Sequence, residues 1–161
     1  MRRVTNGAFG LGIAAQNIDT FIQETDKILT DMSDEPIYYV DYIYEGDSVE
    51  PCHILDIASL EDIWGKDMDE AFVAIHNLKV TKDMITLMSP DKKPTLKITL
   101  PNKISIIKFG SSQEEYESIL TDGYTILDLV GRCNANEWMG HITPQILLED
   151  MSIIKQMKYN F

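Results

Sequence analysis

From Phe72 onward the apolar residues of this chain fall into short strand-like runs, Thr95–Leu100 alternating most cleanly, whereas before Gly65 most of them recur at helical spacing. A period of two belongs to a half-buried strand, and a period near 3.6 to a helix lying on a core. The change of period therefore assigns short paired strands to the second part and a mixed, largely helical segment to the first. Polar residues 65–70 (GKDMDE) lie between the two and read as a linker.

In the second part, Phe72–Val80 alternates, with Phe72, Ala74, His76, Leu78 and Val80 on one face, and Met84–Met88 continues the strand after a kink. Thr95–Leu100 places Leu96, Ile98 and Leu100 on one side and Thr95, Lys97 and Thr99 on the other. Pro101-Asn102 then turns into Lys103–Phe109, making a hairpin. Ser111 or Ser112 caps a short helix with Glu114 and Glu115 in its first turn, and Gly123 stops it. Tyr124–Cys133 and Ile142–Ile154 are two further strands, joined by a loop over Asn134–Gly140. Upstream, Phe21, Thr25, Ile28, Leu29 and Met32 form a helical stripe. Residues 36–44 read as a strand, and a second helix runs from Ser48 to Gly65.

Five strands with one helix between the third and fourth is the order of the Greek-key barrel called the OB-fold. That barrel binds oligonucleotides or oligosaccharides on the face of its strands 2–3, using the loops between strands 1–2 and 4–5. The expected class is thus α+β: a five-stranded OB barrel with one helix over residues 70–161, preceded over residues 1–69 by a small helix–strand–helix segment. The two binding loops become Ser89–Pro94 and Asn134–Gly140.

Charge sharpens this. The formal net charge is −12, which argues against a polyanionic partner until its distribution is seen. Residues 1–69 carry a net −11 and residues 70–161 a net −1; within residues 79–108, seven lysines face only Asp83 and Asp91. Asymmetry of this kind guides partner choice better than the total. Lys92, Lys93, Lys97, Lys103, Lys108 and Arg132 are the candidate phosphate contacts, and Trp138 is the candidate stacking ring. Two plainer readings stand beside these: lysines that are solvated or protect a strand edge, and a tryptophan that packs on a protein partner.

The residues also carry a family resemblance. Phe109-Gly110, Val130-Gly131, Asn136-Glu137-Trp138 with Gly140, Pro144-Gln145 and Glu149-Asp150 occur in an order and spacing similar to the C-terminal OB domain of RecJ, the single-stranded-DNA-specific exonuclease. Ala8-Phe9-Gly10 and the helix after it resemble the end of the DHHA1 domain of DHH phosphoesterases. That family usually has a Gly-His pair just upstream; Val4-Thr5 stands there instead, so no backbone-contact role is carried over. The resemblance implies single-stranded DNA as partner, 5'–3' exonuclease activity in the parent enzyme, and a cytoplasmic role in recombination and repair. It also implies a catalytic DHH domain holding Mn or Mg ions that would lie before Met1, leaving this chain without cofactor or catalysis of its own. The alternative is an OB module that docks on nuclease domains or a repair partner.

Within the chain, no catalytic or metal-binding residue is assigned. His53, His76 and His141 lack ligand partners at zinc spacing, and His76 reads as a hydrogen-bonded core histidine. Gly7–Gly12 lacks the lysine of a phosphate loop, and no Ser or Cys is paired with a histidine. Cys52 and Cys133, without CxxC, suit a reduced compartment, one disulfide remaining open. No apolar run is long enough for a membrane span, and Met1-Arg2-Arg3-Val4 has no secretory h-region behind it.

Overall fold

A computed structural model describes residues 12–29, 36–65, 67–89 and 91–159. The chain divides into two compact units, Met1–Tyr38 and Tyr39–Phe161. In the first, a 3-10 turn at Ala15–Asn17 leads into helix α1, Ile18–Leu29. Residues 7–11 of the glycine-dense stretch and Met32 of the expected stripe lie outside the described residues.

The second unit is one seven-stranded sheet with two helices. In chain order its elements are β1 (Tyr42–Glu45), α2 (Pro51–Ala58), β2 (Phe72–Thr81), β3 (Ile85–Met88), β4 (Thr95–Thr99), β5 (Ser105–Phe109), α3 (Gln113–Ile119), β6 (Tyr124–Trp138) and β7 (His141–Met157). The strand order is β1-β2-β6-β7-β5-β4-β3. β1 on β2 and β5 on β7 are parallel; the other pairs are antiparallel. The expected closed five-stranded barrel is thus replaced by an open hydrogen-bonded ladder of seven strands, with β1 and β3 at its edges.

That ladder still has to curl. β2 and β3 stand five strand spacings apart, roughly 24 Å in a flat sheet. Only the 3-10 turn Lys82–Met84 joins them, and the run from Thr81 to Ile85 reaches at most about 14 Å. The bent sheet wraps a core that includes Val73, Ile75, Val80, Ile85, Ile98, Ile106, Leu127 and Ile146. Two helices contribute to it: Ile54 of α2 and Ile119 of α3 are wholly buried. Truncating either to alanine removes on the order of 2–5 kcal/mol by the usual cost of a buried isoleucine.

Local chemistry sets the boundaries. Ser112 caps α3, its Oγ accepting from the Glu115 amide at 3.0 Å. The α3 carbonyls of Ile119 and Ser118 take side-chain bonds from Thr125 and Gln156, each at 2.7 Å, which seats the helix on β6 and β7. The β4–β5 turn closes through Lys103 at φ 70°, and Asn102 Nδ2 donates to the Val49 carbonyl at 2.7 Å, binding this turn to the segment before α2.

Several expectations change. β2 does not keep one apolar face: Val73 and Ile75 are buried, then Leu78 and Val80, because a bulge between Ile75 and Leu78 shifts the register by one residue. The bulge turns His76 out to solvent, so it is not a core histidine. The loop expected over Asn134–Gly140 is also absent. β6 runs on to Trp138 and pairs with β7 up to His141, leaving only Met139-Gly140 as the turn. The expected strand over 36–44 is regular only from Tyr42 to Glu45. The cysteines are both free, Cys133 buried and Cys52 exposed.

Gly131 sits at a second register shift, in β6, where β7 approaches closely. A Cβ there would overlap the Leu147 carbonyl oxygen. Gly131→Ala is expected to destabilise the fold by about 1–3 kcal/mol, the usual cost of overpacking. A lowered urea midpoint at unchanged slope checks it; an unmoved midpoint refutes the close approach.

Candidate functional site

Register decides which side chains share the outer face of the sheet. β4 pairs with β5 and β5 with β7, so Lys97, Ile107 and Leu147 form one row that ends at Arg132 of β6. The neighbouring row is Thr99, Ser105, Gln145 and Asn134. Two residues further along β6 and β7 come Asn136 opposite Thr143, then Trp138 opposite His141. Because strand side chains alternate, all of these lie on one side, and Cys133 and Ile146 point to the core on the other.

Beyond Gln145 this face continues on two strands alone. β5 pairs with β7 only over Gln145–Leu147, and β2 with β6 only as far as Arg132. The hairpin from Asn134 to Gln145 thus projects as an arm, roughly 15 Å past its neighbours at strand rise. Residues 135–143 of the arm are exposed on both sides. At the tip Trp138 is 71% exposed and Met139 84%. Met139 and Gly140 have φ of 51° and 77°, the condition of a type I' turn, which favours Asn-Gly.

The expected cations fall into two groups. Lys92 and Lys93 are exposed in the β3–β4 turn, whose Pro90 lies outside the described residues; Lys97 is half-buried on the outer face, and Lys103 is exposed in the β4–β5 turn. The β3–β4 turn stands beside the Phe109 end of β5, and the β4–β5 turn beside its Ser105 end, toward the arm. Lysines therefore flank the outer face at both ends.

The other two cations are engaged within the protein. Lys108 lies on the opposite side of β5 in an ion pair with Glu115 of α3. Arg132 donates to Glu70 at 3.1 Å and Glu149 at 3.4 Å, and its guanidinium lies 5.8 Å from the Phe72 ring centre. Sequence spacing carries no sign of either pairing, since Glu70 and Glu149 are distant from Arg132 along the chain. Phe109, 69% exposed beside Thr95, joins the outer face unforeseen. Ser105, Ile107 and Phe109 alternate with Ile104 and Ile106, so β5 offers little polar contrast to show which side is out.

A separate polar cluster forms where β1, β2 and β6 meet. His76 Nδ1 is 3.1 Å from Glu45 Oε1, and its Nε2 3.3 Å from Asp128 Oδ2. Asp128 also accepts from the Asn77 amide at 2.9 Å, at the β2 bulge where Asn77 has φ 56°. The two carboxylates engage opposite nitrogens of one ring, so they do not converge on a metal position. The Glu45 hydrogen bond and then the Asp128 charge raise the His76 pKa above its ordinary value. Burial, with Glu70 nearby, pushes the Cys133 thiol up to about 12, which leaves it protonated and unreactive near neutrality. Among the described residues no helix is long and apolar enough to cross a membrane.

Comparison with known proteins adds a family to this geometry. The family model of the RecJ OB domain matches residues 40–150. Two curated relatives carry the name single-strand DNA-specific exonuclease: prophage-derived YorK of Bacillus subtilis strain 168 and yorK of Bacillus phage SPbeta. Each is 27% identical over 150 residues, covering 92% of this chain. The chain spans about a quarter (26%) of the length of those relatives. No solved structure matches it.

Two outcomes follow from the tip and the cluster. Met139→Asn should stabilise the fold by roughly 0.5–1 kcal/mol by relieving positive φ on a bulky residue; a lowered melting temperature contradicts the turn assignment. His76 should titrate above about 6.5 by NMR, and Glu45→Gln should bring it down. Since the folded-state pKa is the raised one, the clamp's contribution is complete below the unfolded value and is lost as pH rises through the folded value. A His76 titration unmoved by Glu45→Gln removes the clamp.

Proposed function

Because the chain belongs to the RecJ OB-domain family, we propose that it is the single-stranded-DNA-binding C-terminal part of a RecJ-like 5'–3' exonuclease. In this reading the curled sheet acts as a five-stranded OB barrel in which Phe72–Met88 serves as one bent strand and β1 is an addition. It holds the strand for a DHH catalytic domain with its Mn or Mg ions elsewhere in the protein, in cytoplasmic recombination and repair. The observation that carries the reading is the outer face of β4 and β5, flanked by Lys92 and Lys93 at one end and by Lys103 and the Trp138 arm at the other. Lysines neutralise phosphates, and a flat exposed ring accepts a base without reading its identity. The name borne by the two relatives supports the choice of a single strand over a duplex.

The engaged cations narrow the set. Lys92, Lys93, Lys97 and Lys103 are the phosphate contacts. Lys108 and Arg132 act mainly through the carboxylates they neutralise, Lys108 by holding α3 and Arg132 by joining Glu70 to Glu149.

A second reading, docking on the nuclease domains or a repair protein, is favoured by the arm tip, where Ile142 (59% exposed) adds to Trp138 and Met139. Co-elution with the catalytic part that is lost in Trp138→Ala, with no oligonucleotide bound at low salt, selects that reading.

The salt dependence of binding to an unstructured oligonucleotide tests the first. Lys92→Ala/Lys93→Ala should flatten the slope of log affinity against log salt by about 0.7 for each phosphate that is no longer neutralised. Lys108→Ala should leave the slope unchanged and lower thermal stability. A double variant with the wild-type slope discards the lysine assignment.

A further inference from the structure

A cavity lies at the end of β6 opposite the arm. The β2–β3 turn, the α3–β6 connection and the tail after β7 meet there, and Lys82, Leu120, Thr121, Asp122 and Lys158 line a space of about 150 Å³. Close packing holds these segments in place. A Cβ on Gly123 would overlap the Met157 carbonyl oxygen, and the Tyr124 and Tyr159 rings pair with centres 6.4 Å apart. The backbone on both sides of Lys158 is thus seated on the start of β6. Lys82 belongs to the 3-10 turn on which the curl of the sheet depends.

Two features of the cavity lack compensation within the protein. Thr121 is only 9% exposed, and its Oγ1 has no hydrogen-bond partner among the described residues. Native proteins seldom leave a buried hydroxyl so, because its lost hydration is not replaced. The chain has 26 acidic residues against 14 lysines and arginines. Even so, neither Lys82 nor Lys158 is in an ion pair among the described residues. Register adds Lys79 and Lys155, which flank Ile126 in one row across β2, β6 and β7. Lys79 stands over the Tyr124 ring at 4.2 Å. Four lysines gather at this end, and the acids on the meeting segments are Asp83 and Asp122. Neighbouring like charges repel, and a bound anion relieves the repulsion.

We propose that this cavity binds a single phosphate group, carried as a monoester or as inorganic phosphate. The site is independent of the single-stranded-DNA reading above, since it uses none of the same residues. The Lys82 and Lys158 ammonium groups and the Thr121 hydroxyl supply donors from three segments. A monoester presents three terminal oxygens and close to two negative charges, whereas a diester within a strand presents two and one. The volume fits one group, being well below the roughly 300–1,000 Å³ of pockets that enclose a drug-sized ligand. Asp122 on the wall opposes a second phosphate beside the first. A phosphate held here joins the tail after β7 to the turn that curls the sheet.

The test is an NMR titration of the full chain at fixed ionic strength, following the Thr121 and Gly123 amide signals. Four probes are compared: inorganic phosphate, thymidine monophosphate, thymidine and dimethyl phosphate. The first should give saturable shifts, and the last two none. Saturation by thymidine monophosphate as well extends the site to organic monoesters, and its absence confines it to the free anion. Thr121→Val keeps the side-chain shape and removes the hydroxyl. It should weaken phosphate about ten-fold, the usual loss of one hydrogen bond to a charged group, and leave the melting temperature in chloride unchanged or raised. Lys82→Ala/Lys158→Ala should weaken phosphate further. The proposal is overturned if inorganic phosphate gives no saturable shift, or if thymidine or dimethyl phosphate matches it. It is also overturned if Thr121→Val lowers the melting temperature in chloride with phosphate affinity intact, which gives the hydroxyl a bond inside the protein.

Discussion

The three-residue connection between β2 and β3 is the constraint on which the remainder of the unit depends. One run of chain supplies a strand near one edge of the sheet and the strand at its other edge, and three residues cannot bridge the width of a flat sheet. The sheet bends because it must, and bending gives it an enclosed apolar side and a convex outer one. Bulges at β2 and β6 accommodate the bend by shifting register, which is also how Gly131 comes to lie against the β7 backbone. The helices follow: α3, capped by Ser112, brings Ile119 into the core, and α2 brings Ile54.

Much of this was legible from residue order. The β4–β5 hairpin, the kink between β2 and β3, and the Ser112 cap each rest on a local cue: alternation, a turn pair, or a serine ahead of two glutamates. What escaped depended on partners distant in sequence. The β2 bulge is maintained by Asp128 bonding to the Asn77 amide across strands, and nothing within Phe72–Val80 announces it. The loop over Asn134–Gly140 came from laying the barrel's strand order on the chain, and Asn134, Asn136 and Gly140 are residues that favour turns. The facing strand, with Thr143 and Gln145 in register, overrides that preference.

The candidate site divides in the same way. Exposed lysines in turns and an exposed tryptophan are where an isolated reading puts them, since turns are solvated and the tip has no third strand. Lys108 and Arg132 differ because their charges are met by Glu115, Glu70 and Glu149, and ion pairing between elements is a tertiary fact. Phe109 shows the converse limit: an aromatic at a strand end carries no mark of its side until the register of β4 and β5 places it outside.

The arm between Asn134 and Gln145 is packed at its root and bare along its length. Its tip side chains bury little against the core, so replacing them disturbs little of the packing that decides whether the chain folds. Such a finger is therefore an open position in the protein's evolution, where new specificity can arise with little loss of stability. Only the turn between its strands restricts the choice.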